Sequence, residues 1–359
     1  MAQYQVWVEN DAYAKQALIT RYLKLTYTQV LNDIGYCQLE MHPDDPKITE
    51  LTEMRRLKII RDGEIVWGGI ILRTEWKIPE TAPEGETFVA YALDHTVYAD
   101  WRLIVPPSGS AYDTRSGPAD DVAKAYVYYH AGAGAAAGRQ FTDLSVQANA
   151  SACANVREEG RYIILLSMLQ KLRVKGGFDF RFVPLANGCE FRTAYPRWGV
   201  DRTKGNGVND ECVFAIDRRN FSEMTYALDL LAHYNYWYVG GQGEGEDRAI
   251  VERSDAGYIA SYKRRERFRD ARRLQLTASL EAEGDEAIEE ARPLETMTVQ
   301  PKSGIWKATS GTTYDLGDLV TCYAHRWGRT FSLNAKITAV KVEVTPDELE
   351  IVTPTLEAV

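Results

Sequence analysis

The chain has 359 residues, 45% of them apolar, and a formal net charge of −9. That length exceeds one ordinary core and points to two or three domains, while the apolar share excludes a disordered chain. An acidic surface repels phosphate, which excludes general affinity for nucleic acid, although such repulsion suits a pore through which DNA slides without sticking.

The first hundred residues read as strands. In 57–72 two apolar arms flank Asp62-Gly63, the strongest short-range hairpin signal because both turn positions need positive φ. Gly68 and Gly69, just after Trp67, suggest a bulge or a close backbone approach in the second arm. Residues 88–93 form another short strand. The Pro-, Ser- and Gly-rich stretch 106–118 reads as a loop and a domain boundary. Asp120 or Asp121 can cap a helix running to His130, and the Ala/Gly run 132–138 reads as a flexible link or a close packing spot.

Two similar modules follow. A helix over 161–173, stopped by Gly176-Gly177, precedes the alternating stretches 178–183 and 189–195. A second helix over 221–234, capped by Asn220 or Ser222, precedes a strand at 236–239, a Gly-rich acidic loop and a strand at 248–252. Residues 270–294 favour a helix, and 297–359 read as strands again. Lys336 to Val344 alternates well, and Pro346-Asp347 can turn it back into 349–352. The fold class expected is α+β and β-rich, with β segments at both ends that can close one barrel together.

Chemistry is scarce. The five cysteines (Cys37, Cys153, Cys189, Cys212, Cys322) are odd in number and none lies within four residues of another, which argues for free thiols in a reducing cytosol. Residues 1–10 lack a basic start followed by an apolar stretch, so no signal peptide is expected, and the apolar runs 66–72 and 162–166 are far short of a bilayer span. No Gly-x-Ser-x-Gly elbow is present, and the five histidines show no His-x-x-x-His spacing. His233 reads as a core or boundary residue on a helix face.

The loop 240–247 resembles a phosphate cradle, but it precedes a strand and carries Glu244, Glu246 and Asp247, so a solvated acidic hairpin loop is the better reading, ahead of a Ca²⁺ site. His42-Pro43-Asp44-Asp45 reads as a turn. The basic run 263–269 is interrupted by Glu266, which favours internal salt bridges or a subunit contact over nucleic acid. Asp201-Arg202 recurs as Asp247-Arg248. Neighbours on a strand point to opposite faces, so each should pair with something else, and arginine suits docking of elements or subunits.

The order of motifs resembles siphophage tail proteins of the baseplate-hub (tail-associated) class. The resemblance rests on Leu31-Asn-Asp-Ile-Gly35, the hairpin 57–71, Gly177-Phe-Asp-Phe180, Gly199-Val-Asp-Arg-Thr203, the stretch 235–248, Arg264-Arg-Glu-Arg-Phe268 and Tyr314-Asp-Leu-Gly-Asp-Leu-Val320, and it spans nearly the entire chain. It implies two tube-type β-barrel domains with two peripheral α+β (helix–hairpin) modules. The corresponding division is 1–105, 106–218, 219–296 and 297–359. It also implies a structural, non-enzymatic tail-tip hub in the virion, made in the host cytoplasm. Three copies would form a ring whose six near-equivalent barrels meet a sixfold tube. Its partners would be tail tube, distal tail and tip or fibre proteins, with phage DNA only in transit and no cofactor or metal. Asp62, Gly63, Trp67, Gly68, Gly69, Asp201, Arg202, Asp247, Arg248, Asp315, Gly317 and Asp318 are expected to serve structure and assembly. The competing readings are a tail-carried cell-wall hydrolase, which needs paired acids or a metal-bound water, and a receptor- or carbohydrate-binding module.

Overall fold

The computed structural model describes residues 3–79, 85–302, 314–326, 328–346 and 349–359. Two compact units are present: Met1–Met224 with Thr298–Glu357, and Thr225–Met297.

The first unit opens with seven strands, β1 (Tyr4–Glu9), β2 (Lys15–Ile19), β3 (Lys24–Val30), β4 (Tyr36–Met41), β5 (Arg56–Arg61), β6 (Glu64–Lys77) and β7 (Thr87–Asp94). Alternation sends Val6, Val8, Leu25, Tyr27, Leu39, Leu57 and Ile59 into a core where each is almost wholly buried. The chain continues through α1 (Val97–Asp100), β8 (Asp113–Pro118), α2 (Ala119–His130), β9 (Leu144–Val146), β10 (Asn155–Gly160), α3 (Leu165–Gly176), β11 (Asp179–Leu185) and β12 (Gly188–Ala194). Here α2 and α3 bury Val122, Tyr126, Leu165, Leu169 and Leu172 against Phe180, Phe182 and Phe191 of the β11–β12 hairpin. This is the helix–hairpin module expected from the sequence, with Gly177 (φ +65°) ending α3.

Next come β13 (Val213–Ala215) and β14 (Phe221–Asp229). The second unit contains β15 (Tyr236–Gly240), β16 (Ile250–Ser254), α4 (Ala256–Tyr262), β17 (Glu266–Asp270) and α5 (Thr277–Glu290). Its sheet runs β16-β15-β17, and its core is small: Val239, Ala271 and Leu280, with Trp237, Val251 and Leu274 packed around them. The chain ends with β18 (Leu294–Pro301), β19 (Leu319–Arg326), β20 (Arg329–Val344) and β21 (Glu350–Ala358).

The two ends of the chain share one 13-stranded sheet, in the order β14-β18-β21-β20-β3-β4-β7-β6-β5-β1-β2, with β19 joining β20 to β13. The join is the antiparallel β20–β3 ladder, from Ala339 opposite Val30 to Val344 opposite Leu25. Along β20 the buried positions change phase, from Ala335 and Ile337 to Val340, Val342 and Val344. The change falls where the strand leaves β19, paired through Lys336, for β3.

Several elements differ from the sequence-based expectation. The helix expected over 221–234 is instead strand β14: Met224, Ala227 and Leu228 favour a helix, but the ladder with β18 decides the conformation. His233 accordingly lies in a loop, 1% exposed, its Nδ1 2.7 Å from the Ala291 carbonyl and its ring edge-on to Tyr258 and Tyr262. The stretch 106–118 ends in β8, which pairs with β10. Helix α3 begins four residues later than expected because Tyr162 has φ +52° and Ile164 bridges to Leu103. Close packing is the correct alternative for the Ala/Gly run, since a Cβ on Gly134 would meet the Tyr128 ring at 2.3 Å. The turn expected at Pro346-Asp347 falls partly on residues outside those described. All five cysteines are free and buried. No described helix is long and apolar enough to cross a membrane.

Candidate assembly site

The β5–β6 turn follows from its two residues. Asp62 and Gly63 have φ of +51° and +87°, as a two-residue hairpin turn of the right twist requires. Asp62 Oδ1 accepts the Gln3 N–H at 2.9 Å, tying the turn to the entry of β1. The ladder then shifts register beside Ile59 and Ile60, which leaves Val66 as the extra residue of a bulge. Trp67 is buried, and its indole N–H finds no acceptor among the described residues. Gly68 and Gly69 permit close approach: an added Cβ would stand 2.9 Å from Pro184 Cβ at Gly68 and 2.1 Å from the Leu93 carbonyl at Gly69.

A second node joins motifs more than a hundred residues apart. Asp318 is 2% exposed. Its Oδ1 accepts the Val200 N–H at 2.8 Å, and its Oδ2 accepts Arg202 Nε at 2.9 Å and the Asp315 N–H at 2.8 Å. Around it the Arg202 N–H donates to the Leu319 carbonyl and the Leu319 N–H to the Val200 carbonyl. Gly317 (φ +89°) and Gly199 face each other so closely that a Cβ on Gly199 would lie 2.3 Å from the Asp318 nitrogen. Burial raises the Asp318 carboxyl above its ordinary value against the pull of these donors. Asp201 points elsewhere and accepts the Thr203 N–H and hydroxyl. Asp201 and Arg202 take different partners, although they lie in no strand and Asp201 forms only an isolated bridge to Leu319.

Beside this node lies a cleft of about 410 Å³ lined by Lys204, Asp217, Arg218, Thr321, Tyr323 and Ser332 among others. Among the described residues Asp217 is the one carboxylate in its lining.

In the second unit Arg248 donates to the Gly240 and Gly241 carbonyls and reaches Asp270 at 2.5 Å, with its guanidinium 5.1 Å from the Phe268 ring. Asp247 lies in the exposed acidic loop. Within the basic run Arg264 pairs with Glu266, while Arg269 reaches Glu283 and Glu290 on α5.

Three carboxylates that sequence reasoning missed hold the first unit together. Asp179, 1% exposed, accepts Asn32 Nδ2 at 2.9 Å, Lys336 Nζ at 2.6 Å and the Trp198 N–H at 2.9 Å, while Asn32 Oδ1 accepts the Phe180 N–H. This one residue joins the end of β3, the start of β11 and β20. Asp143 accepts the Tyr13 and Tyr98 hydroxyls at 2.6 and 2.7 Å and lies 3.1 Å from Arg56. Burial pushes its carboxyl upward, but those hydrogen bonds and the guanidinium outweigh it and leave it below the ordinary range. His95 nearby is driven down to about 4 by burial and stays neutral at physiological pH. Asp113 meets His130 Nε2 at 2.7 Å and Arg115 at 2.9 Å. The only sequence signal was a lone acid beside aromatic residues, as in Phe178-Asp179-Phe180, and its three partners are scattered along the chain. Each of these carboxylates is engaged by fixed donors, an arrangement that joins segments.

Residues 3–356 match the family described as Siphovirus ReqiPepy6 Gp37-like protein. No curated protein matches the chain. Among solved structures, the tail protein from Neisseria meningitidis MC58 is 14% identical with a TM-score of 0.62, covering 99% of this chain and 96% of that one. The prophage MuSo2 43 kDa tail protein from Shewanella oneidensis is 11% identical with a TM-score of 0.62, covering 99% and 98%. The prophage tail protein gp18 from Listeria monocytogenes EGD-e is 11% identical with a TM-score of 0.55, covering 98% and 94%. At these identities the likeness is one of fold. The family match over nearly its whole length is decisive: the chain belongs to the Siphovirus ReqiPepy6 Gp37-like family.

Proposed function

We propose that this tail protein is a structural hub at the tail tip, working as a ring of three copies that joins the tail tube to the tip and guides DNA exit. The observation that supports this most is the single sheet built from both ends of the chain. β1–β7 form one strand set and the remaining six of the thirteen strands form another, joined at the β3–β20 ladder. Two strand sets per chain give three copies six comparable units, the number a sixfold tube presents. Segments 1–105 and 297–359 are assigned to the tube side, and 106–218 and 219–296 to the periphery. The neighbours would be tube, distal tail and tip or fibre proteins, and synthesis would occur in the host cytoplasm. The role is non-enzymatic, in keeping with Asp113, Asp143, Asp179 and Asp318 each being engaged by fixed donors that join segments.

Electron cryomicroscopy of intact tails tests this. The expected result is three copies in a ring at the distal end with a predominantly acidic lumen, as the −9 charge suggests. A basic or closed, water-free centre would overturn the channel role, and a different copy number the ring. A zymogram on purified host wall should show no clearing; clearing would restore the hydrolase reading.

A further inference from the structure

Four consecutive exposed residues, Arg161 to Ile164, form a knuckle between β10 and α3. Tyr162 is 59% exposed although its φ is +52°, a conformation costly for a bulky side chain. The backbone imposes it. The Tyr162 N–H donates to the Ile104 carbonyl at 2.7 Å, the Ile104 N–H to the Ile163 carbonyl at 2.8 Å, and the Leu165 N–H to the Arg102 carbonyl at 2.8 Å. Leu103, also exposed, bridges to Ile164 in the same stretch. An apolar knuckle held outward by a rigid base at the expense of backbone strain marks a surface shaped for contact.

The charge around it identifies what it contacts. Arg161 donates to the Ala111 carbonyl at 2.6 Å, Arg102 to the Arg139 carbonyl at 2.7 Å, and Arg139 to the Leu103 carbonyl. Carbonyls satisfy the N–H groups without cancelling the charge, and none of the three arginines has an ion-pair partner among the described residues. The patch is therefore apolar and basic on a chain of net charge −9, and without these three arginines the rest of the chain carries −9 − 3 = −12. Arginine and tyrosine around an apolar centre are the composition of a protein interface.

We infer that this knuckle is the contact by which one copy of the chain docks on the acidic surface of a second copy. The two faces are unlike, so the contact is head-to-tail and generates a ring when its rotation closes. The inference rests on the ring reading above and assigns it a surface.

The test places a photo-crosslinking phenylalanine analogue at position 162 of the full chain, assembled in tails. Ultraviolet light should join copies of this chain to one another, and Arg161→Glu in the same background should cut that product about tenfold or more. Thermal melting of the Arg161→Glu protein, unchanged from the parent, separates lost docking from lost folding. Crosslinks to a different tail protein, or none, would overturn the inference. If micrographs of the same tails show three copies in a ring while position 162 joins no second copy, the knuckle assignment falls and the ring survives. If they show a single copy per tail, both fall.

Discussion

Asp318, Asp179 and Asp143 show how a buried acid in this chain stabilises: each is met by three donors, at least two of them from segments distant in sequence. Removing one donor leaves charge without compensation. Arg202→Ala, which strips the guanidinium from Asp318, should lower unfolding free energy by about 3 kcal/mol, read from the urea midpoint at constant slope. Asp94 offers a test by pH. It accepts the Gly35 and Thr96 N–H groups, yet burial pushes its carboxyl up to about 7. The folded state therefore holds a proton that the unfolded chain, with its carboxyl near 3.8, releases. Stability from that proton is complete below the unfolded value and is lost as pH rises through about 7. Asp94→Asn cannot ionise, so the stability difference should move in favour of the variant between pH 5 and pH 8. A difference that stays constant over that range would show that Asp94 does not titrate there.

At the scale of elements, the β5–β6 hairpin is fixed by two residues with positive φ and by two glycines that let it lie against its neighbours. Gly63→Val should cost about 1–2 kcal/mol through backbone strain alone, because nothing lies within 4 Å of that Cβ position. Gly69→Ala should cost more, about 2–4 kcal/mol, since its Cβ meets the Leu93 carbonyl, a backbone atom that cannot step aside. Thermal melts of the two variants give the order directly. The reverse order would mean that the turn, not the β6–β7 contact, limits the sheet.

Across the whole molecule, the terminal strands lie far apart in sequence and close together in the fold. Glu350, at the start of β21, accepts Arg61 Nε at 2.6 Å and Nη2 at 3.0 Å and also bonds to Tyr4. Val352 and Leu356 of the same strand are buried. Truncation before Glu350 should therefore cost the first unit its cooperative melt rather than trim a loose end, as circular dichroism would show. Retention of a sharp transition near the parent temperature would mean that β21 is dispensable.

How much of this was legible in the sequence depended on distance along the chain. Asp62-Gly63, the stop at Gly177 and the Arg264–Glu266 pair are governed by neighbours within a few residues, and their structures follow from local sterics and charge. The motifs 199–203 and 314–320 were visible separately, but nothing local says that Arg202 meets Asp318. The strand at 221–229 carries helix-favouring residues, and only its ladder overrides them. Tyr162 likewise takes a left-handed backbone because Ile104 holds it there. The sequence alone determined the turns, the β-rich character and the acidic surface, since these depend on a residue's own chemistry and its nearest neighbours. The pairing of both termini in one sheet, the buried carboxylate joints and the outward knuckle were decided by the tertiary structure, because each needs partners that only chain closure brings within hydrogen-bonding reach.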